Sequence, residues 1–288
     1  MKNYLGPIYL TLAASSWGGT YVVSKVVLDV ISPLELVWFR YVVALCTLAV
    51  IGIATHQSWK IAWRDIPLIL AIGVIGYFVS IWTQFAGTQL STAQMGAVIT
   101  SATPAFMVIF ARFLLQETLT IKKGISVCLA TIGVLFIVGI GDTGSPFQLG
   151  GLVLGIAALT WALMSVLVKR IPSHYSQLVT TTYAILIATI IITPLASPSL
   201  TSEHLVLLSQ PVVWGGILYL GTVATAGAFY LWNKGLQFVD ASRGGLYFFF
   251  QPLVGTLLGW LFLGEQVGIS FWTGTGLILA GVLLVIKD

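Results

Sequence analysis

The chain has 288 residues, of which 58% are hydrophobic and 8% charged, with a mean hydropathy of +1.00 and a net charge of +4. A soluble globular domain carries roughly 25% charged residues, so this composition excludes an ordinary water-soluble enzyme and points to a chain dissolved in lipid. The 13 basic residues are scattered singly between apolar runs, which excludes a nucleic-acid-binding face.

A hydrocarbon core demands roughly 20 apolar residues per helix, and only helices or closed barrels satisfy the backbone there. Ten such runs follow one another: 5–28, 33–54, 65–87, 92–113, 122–141, 149–170, 175–196, 211–233, 241–263 and 268–287. Each is bounded by Pro, Gly or charge. Barrel strands would alternate polar and apolar residues, and runs such as GVLFIVGI and LVLGIAAL do not. In the first run, Lys2 followed by an apolar stretch with Ala13, Ala14 and Ser15 has the look of a cleaved signal. Cys46 and Cys128 lie in separate apolar runs, a spacing that offers neither a disulfide framework nor a metal site. Both read as small buried hydrophobes.

With the amino terminus inside, the cytoplasmic ends and loops hold eleven of the 13 basic residues: Lys2, Lys60, Arg64, Arg112, Lys122, Lys123, Lys169, Arg170, Lys234, Arg243 and Lys287. Only Lys25 falls on the opposite side, and Arg40 lies within the second span. The positive-inside rule therefore places both termini in the cytoplasm. Trp59, Trp63, Trp214 and Trp272 fall at span ends and read as an interfacial aromatic belt.

The chain is written twice. A shift of 148 carries Gly73, Gly87, Gln89, Ala93, Gly96, Pro104, Leu115, Glu117 and Gly133 onto Gly221, Gly235, Gln237, Ala241, Gly244, Pro252, Leu263, Glu265 and Gly281. A shift of 144 carries Gly6, Ala13, Ala14, Trp17 and Lys25 onto Gly150, Ala157, Ala158, Trp161 and Lys169. The first span thus has a twin inside the chain, which no cleaved signal has. Two repeats follow, 5–141 and 149–287, each of five helices. Five is odd, so the second copy inserts upside down. The expected fold is an all-α polytopic membrane protein with ten transmembrane helices in two inverted five-helix repeats, N-in and C-in.

Inverted repeats are a transporter device, with the binding site near the midplane where helices are interrupted. Pro104 and Pro252 fall at mid-span in equivalent helices, and each removes an N–H and frees the carbonyl one turn earlier, at Thr100 and Phe248. These prolines read as paired hinges beside a central cavity.

The stretches WGGTYVVSK, LVWFRYVV and GTQLSTAQMGAVITSATPAFMVIFARFLLQETLT, with the echo KGLQFVDASRGGLYFFFQPLVGTLLGWLFLGEQVG, resemble the drug/metabolite transporter superfamily, specifically its ten-helix EamA-type permeases. The resemblance spans essentially the whole chain. It implies a plasma-membrane permease, usually bacterial and commonly an exporter of amino acids or related metabolites, with a cavity between the halves lined by helices one, three, four, six, eight and nine. Small four-helix multidrug carriers of the same superfamily depend on a glutamate in their first helix, and the first helix here holds no acid.

Projecting those helices at 3.6 residues per turn gives one cavity wall from Trp17, Thr20, Tyr21, Ser24, Trp161 and Ser165, and another from Gln84, Thr100, Thr103, Trp232, Tyr247 and Gln251. These supply hydroxyl, amide and aromatic faces without charge. Arg40 lies about six residues, roughly 9 Å, into its helix and reads as a structural lock with Glu35 or Asp29. Lys25, Glu117 and Glu265 sit at span ends as gate or structural charges. No Gly-x-x-x-x-Gly-Lys-Ser/Thr loop occurs, which disfavours transport driven by ATP bound to this chain.

The expected function is secondary or facilitative export of a small neutral or zwitterionic metabolite, amino acids leading, with no cofactor and no metal. The partners are the lipid bilayer and a small-molecule substrate, and the sequence leaves monomer and homodimer both open. The rivals are uptake or drug efflux within the transporter class, and outside it a membrane-embedded enzyme or a lipid-exposed scaffold. The enzyme lacks a His/Glu cluster or acid pair within the spans, and the scaffold would not require a polar midplane in both halves.

Overall fold

A computed structural model describes residues 2–90, 99–100, 102–138, 145–196, 210–263 and 268–286. The helices are α1 (Lys2–Leu28), α2 (Pro33–Ala54), α3 (Trp63–Leu90), α4 (Thr103–Leu115), α5 (Ile121–Val138) and α6 (Ser145–Val168). They continue with α7 (Gln177–Ala196), α8 (Pro211–Leu236), α9 (Phe250–Leu263) and α10 (Ile269–Ile286). A helical turn, Ala241–Gly244, and a 3-10 stretch, Gly245–Phe249, lead into α9. No strand occurs among the described residues.

Local chemistry sets the helix ends. Ser32 caps α2, its Oγ accepting from the Glu35 N–H at 3.4 Å while Glu35 Oε2 accepts from the Ser32 N–H at 2.7 Å, a reciprocal capping box with Pro33 inside the first turn. At the other end, His56 takes a positive φ of 51° beyond α2 and Gln116 one of 57° beyond α4. A left-handed residue turns the chain away while its N–H closes the last turn.

Five helical stretches among the described residues are long and apolar enough to cross a membrane: Pro33–Ala54, Trp63–Leu90, Leu149–Val168, Gln177–Ala196 and Pro211–Leu236. Thr103–Leu115 and Trp272–Leu284 are shorter apolar helices. The outer surface is itself apolar, with Ile53, Phe113, Leu152, Ile190 and Leu261 all exposed. In water such a surface would aggregate; in lipid it is the ordinary exterior. The protein is an all-helical, polytopic membrane protein.

With lipid as apolar as the core, helices associate through close packing of small residues. The packing is reciprocal between the halves. α1 packs on α8 and α9, while α6 packs on α3 and α4; α2 meets α7 and α5 meets α10. Gly87 shows the reason: a Cβ there would come within 3.0 Å of the Gly150 carbonyl oxygen, and one at Gly235 within 3.2 Å of the Gly6 carbonyl oxygen. Both members of each contact are related by the register shifts found in the sequence, so one set of close approaches is used twice.

Two features escaped sequence reading. α3 widens into a π-helix over Ile72–Ser80, and α8 does so over Tyr219–Gly227, near-equivalent places in the two repeats. π turns are rare and concentrate at functional sites. Each leaves a carbonyl for a side-chain donor: Tyr77 O accepts from the Tyr41 hydroxyl and Ala224 O from Trp17 Nε1. The cysteines also differ from expectation, since Cys46 and Cys128 are both exposed on the outer surface. An apolar run in a membrane protein is compatible with lipid as well as with core, so hydropathy could not tell them apart.

Candidate functional site

Trp17 of α1 and Trp161 of α6, twins in the repeat, meet edge to face with ring centroids 5.3 Å apart. Phe229 packs 6.0 Å from Trp17 and 5.3 Å from Trp161, and Phe248 lies 5.7 Å from Trp17. These four rings wall a cavity whose remaining lining includes Thr20, Arg40, Ser80, Gln84, Thr100, Thr103 and Gln251. The helices that contribute are α1, α2, α3, α4, α6, α8 and α9, together with the segments leading into α4 and α9. Its free volume is about 30 Å³, room for roughly two waters. An amino-acid-sized solute fits only if the aromatic walls part.

Four of the polar groups on this cavity are short of partners among the described residues. Thr20 Oγ1, Thr103 Oγ1, Trp161 Nε1 and Gln251 Oε1 are buried and have no hydrogen bond among the described residues. An unmet buried polar atom costs about 1–3 kcal/mol, so a concentration of them around one space marks where a solute's own polar groups would bind.

Arg40 lies here too. It is 2% exposed, so its long side chain does not snorkel outward. Its Nε donates to Thr225 Oγ1 at 2.7 Å, and its guanidinium carbon stands 5.4 Å from the Phe85 ring centre, 5.8 Å from Phe229 and 6.0 Å from Tyr41. The lock expected with Glu35 or Asp29 is not what forms: Glu35 serves the Ser32 cap and Asp29 is exposed. The cavity expected to be uncharged therefore carries a guanidinium, because α2 turns this face toward the π stretch of α8.

Of the residues proposed from sequence, Trp17, Thr20, Gln84, Thr100, Thr103, Trp161 and Gln251 line the cavity. Trp232 and Ser165 stand behind it, bonded to each other from Trp232 Nε1 to Ser165 Oγ at 3.0 Å. Tyr247 packs parallel to Phe250, and Ser24 is buried in α1 away from the lining. The side chains of Tyr21 and Lys25, and Glu265 altogether, lie outside the described residues. Ser80, Phe229 and Phe248 were missed. Phe248 alone had a signal, lying four residues before Pro252.

Pro104 sits in the first turn of α4, after a turn at Ala102, and Pro252 is the third residue of α9, after the 3-10 stretch. Neither interrupts a regular helix from within; each restarts one. A proline at a helix start sacrifices no hydrogen bond. The two residues one turn earlier, Thr100 and Phe248, both line the cavity. Among the expected belt tryptophans, Trp63, Trp214 and Trp272 are exposed. Trp59 instead folds inward over Gly52 and against Tyr183.

The sequence model of the EamA-like transporter family matches the chain over residues 4–139 and again over 148–287. The chain belongs to that family. A transporter of Archaeoglobus fulgidus is 26% identical over 97% of this chain and 98% of its own. The transporter YyaM of Bacillus subtilis is 27% identical over 96% of this chain and 92% of its own. The permease-like protein YdzE of Bacillus subtilis is 70% identical over 71 residues, 25% of this chain and 91% of its own. A solved crystal structure shares the fold at a TM-score of 0.78 and 18% identity, covering 97% of this chain and 95% of that one. The protein is a membrane transporter.

In this EamA-like transporter three charged side chains at one end of the bundle bond to neighbouring segments. Glu117, just past α4, accepts from the backbone N–H groups of Ala241 at 2.8 Å and Ser242 at 3.1 Å, and from the Ser242 hydroxyl. Lys169, just past α6, donates to the carbonyls of Leu236 and Val239, the former at 2.9 Å. Arg170 Nη2 donates to the Leu114 carbonyl at 2.6 Å. Glu117 and Arg170 thus join a charge on one half to groups on the other, while Lys169 bonds within the second half. Hydrogen bonds to charged groups contribute about 1.5–3 kcal/mol, so Glu117→Ala is expected to shift the population toward opening at this end by about tenfold or more. The readout is labelling of Thr20→Cys by a membrane-impermeant thiol reagent, in a background free of Cys46 and Cys128. Labelling unchanged from either side would show that Glu117 caps a helix and gates nothing.

Proposed function

We propose that this protein is a secondary or facilitative transporter of the bacterial plasma membrane that exports a small neutral or zwitterionic metabolite, amino acids being the leading class. It works by alternating access between two inverted five-helix repeats, with ten crossings and both termini in the cytoplasm. The observation that carries the reading is the cavity itself. Four partnerless buried polar atoms surround one space, at the meeting point of Trp17 and Trp161, which are equivalent residues of the two halves. A site near the symmetry axis of two inverted copies faces one side when one copy is tilted and the other side when its twin is. The orientation is supported by the eleven basic residues that an inside amino terminus gathers on one side.

The test is solute flux in sealed proteoliposomes of the purified protein, with a radiolabelled panel of the common amino acids and saturable counterflow as the readout. Counterflow of at least one member is the expected result. A monodisperse, correctly inserted protein that moves none of them, yet chemically converts one, would replace the transporter reading with an enzymatic one.

A further inference from the structure

We infer that Arg40 is the substrate's carboxylate anchor, and that a solute carried by this protein must present a carboxylate to it; this rests on the transport reading above. The first reason is its isolation. Arg40 is 2% exposed, and among the described residues no carboxylate pairs with it: its one hydrogen bond is from Nε to Thr225 Oγ1. An ionised group taken this far from water without a counter-charge is strongly disfavoured. A lock would come with its own acid, whereas a binding site receives the acid with the solute.

The second reason is the way the guanidinium is held. Thr225 Oγ1 donates to the Leu220 carbonyl at 2.6 Å, so its lone pair is presented to Arg40 Nε at 2.7 Å. That carbonyl belongs to the π stretch of α8. Phe85, Phe229 and Tyr41 surround the guanidinium carbon within 6.0 Å, which limits its rotation and shields its faces. The side chain borders the cavity, and both terminal nitrogens lack a described hydrogen-bond partner. They remain as a planar fork suited to two parallel bonds with a carboxylate.

The third reason is the complement. Gln251 Oε1, Thr20 Oγ1 and Thr103 Oγ1 are buried oxygens without partners on the same cavity, and they can accept from an ammonium group. One cation with several neutral acceptors matches a single carboxylate carrying a neighbouring amine. A doubly charged phosphate ester would leave one charge uncompensated, because Arg40 is the only charged residue in the lining among the described residues.

The experiment compares acids with their own carboxamides. Wild type, Arg40→Gln and Arg40→Lys are purified in detergent, and binding is followed by tryptophan fluorescence, since Trp17 and Trp161 flank the site. The ligands are the common L-amino acids, their amides, and simple monocarboxylates. Wild type is expected to bind at least one acid tenfold or more tighter than its amide. Arg40→Gln is expected to erase that ratio, and Arg40→Lys, which keeps the charge but loses the fork, to restore part of it. If Arg40→Gln does not fold, the wild-type acid-to-amide ratio and Arg40→Lys still decide. Acid and amide binding equally well, Arg40→Gln keeping the preference, or no panel member binding at all would each overturn the inference. Flux in sealed vesicles separates the two readings. Selective acid binding without flux sinks the transporter proposal and leaves the anchor standing, whereas flux without acid preference does the reverse.

Discussion

Gly18→Ala is expected to lower the thermal midpoint of the detergent-solubilised protein by several degrees and to cut transport severely, although it adds one methyl group. A Cβ at this position would lie 2.8 Å from the Gln251 carbonyl oxygen, 2.8 Å from the Gly255 nitrogen and 2.8 Å from Val254 Cβ. Two of these three obstacles are backbone, so no rotamer change relieves them and α9 must move away from α1. Overpacking of this kind costs typically about 1–3 kcal/mol. The displaced segment also carries Gln251, one of the cavity's partnerless acceptors, so function suffers more than stability alone would predict. Gly155→Ala is the control. Nothing lies within 4 Å of a Cβ there, and replacing glycine by alanine within a helix is worth up to about 1 kcal/mol in its favour. Equal midpoints for Gly18→Ala and wild type would show that α1 and α9 are not held in contact.

Trp17→Ala is expected to be the most damaging single truncation at the cavity. The indole is 5% exposed and touches four rings: Trp232 at 5.2 Å, Trp161 at 5.3 Å, Phe248 at 5.7 Å and Phe229 at 6.0 Å. Its Nε1 also donates to the Ala224 carbonyl at 2.9 Å, inside the π stretch of α8. Removing a buried tryptophan costs about 3–5 kcal/mol in soluble cores. Here the lost contacts are also the ones that hold α1, α6 and α8 around the site. Transport is expected to fall by more than a hundredfold, with a lowered midpoint. Trp17→Phe separates the two contributions, since it keeps most of the ring packing and drops only the bond to Ala224, so its flux should lie between those of wild type and alanine. Alanine and phenylalanine variants that both transport at the wild-type rate would remove Trp17 from the working machinery.

The amino-acid sequence by itself determined the solvent, the helical class and the duplication. Burying so many apolar residues with so few charges leaves helices in lipid as the workable arrangement, and two fixed register shifts relate one half to the other. Local chemistry was legible as well: Pro104 and Pro252 announced breaks that the chain does make, and the twinned Trp17 and Trp161 pointed to the place where the halves meet. What only the tertiary structure decided was which way each helix turns. Arg40 looks inward onto the cavity and bonds Thr225, Trp59 folds back instead of joining the belt, and Cys46 and Cys128 face outward. The reason is physical. In water an amphipathic period reveals a helix's buried face, but here lipid and core are equally apolar and the helices carry hydrophobic residues on every side. Rotation about each axis is then set by close approaches between helices, such as Gly87 on Gly150 and Gly18 on Gln251, and by the carbonyls that the π stretches release. Those contacts join residues far apart in the chain, and they come into being only when the helices are packed.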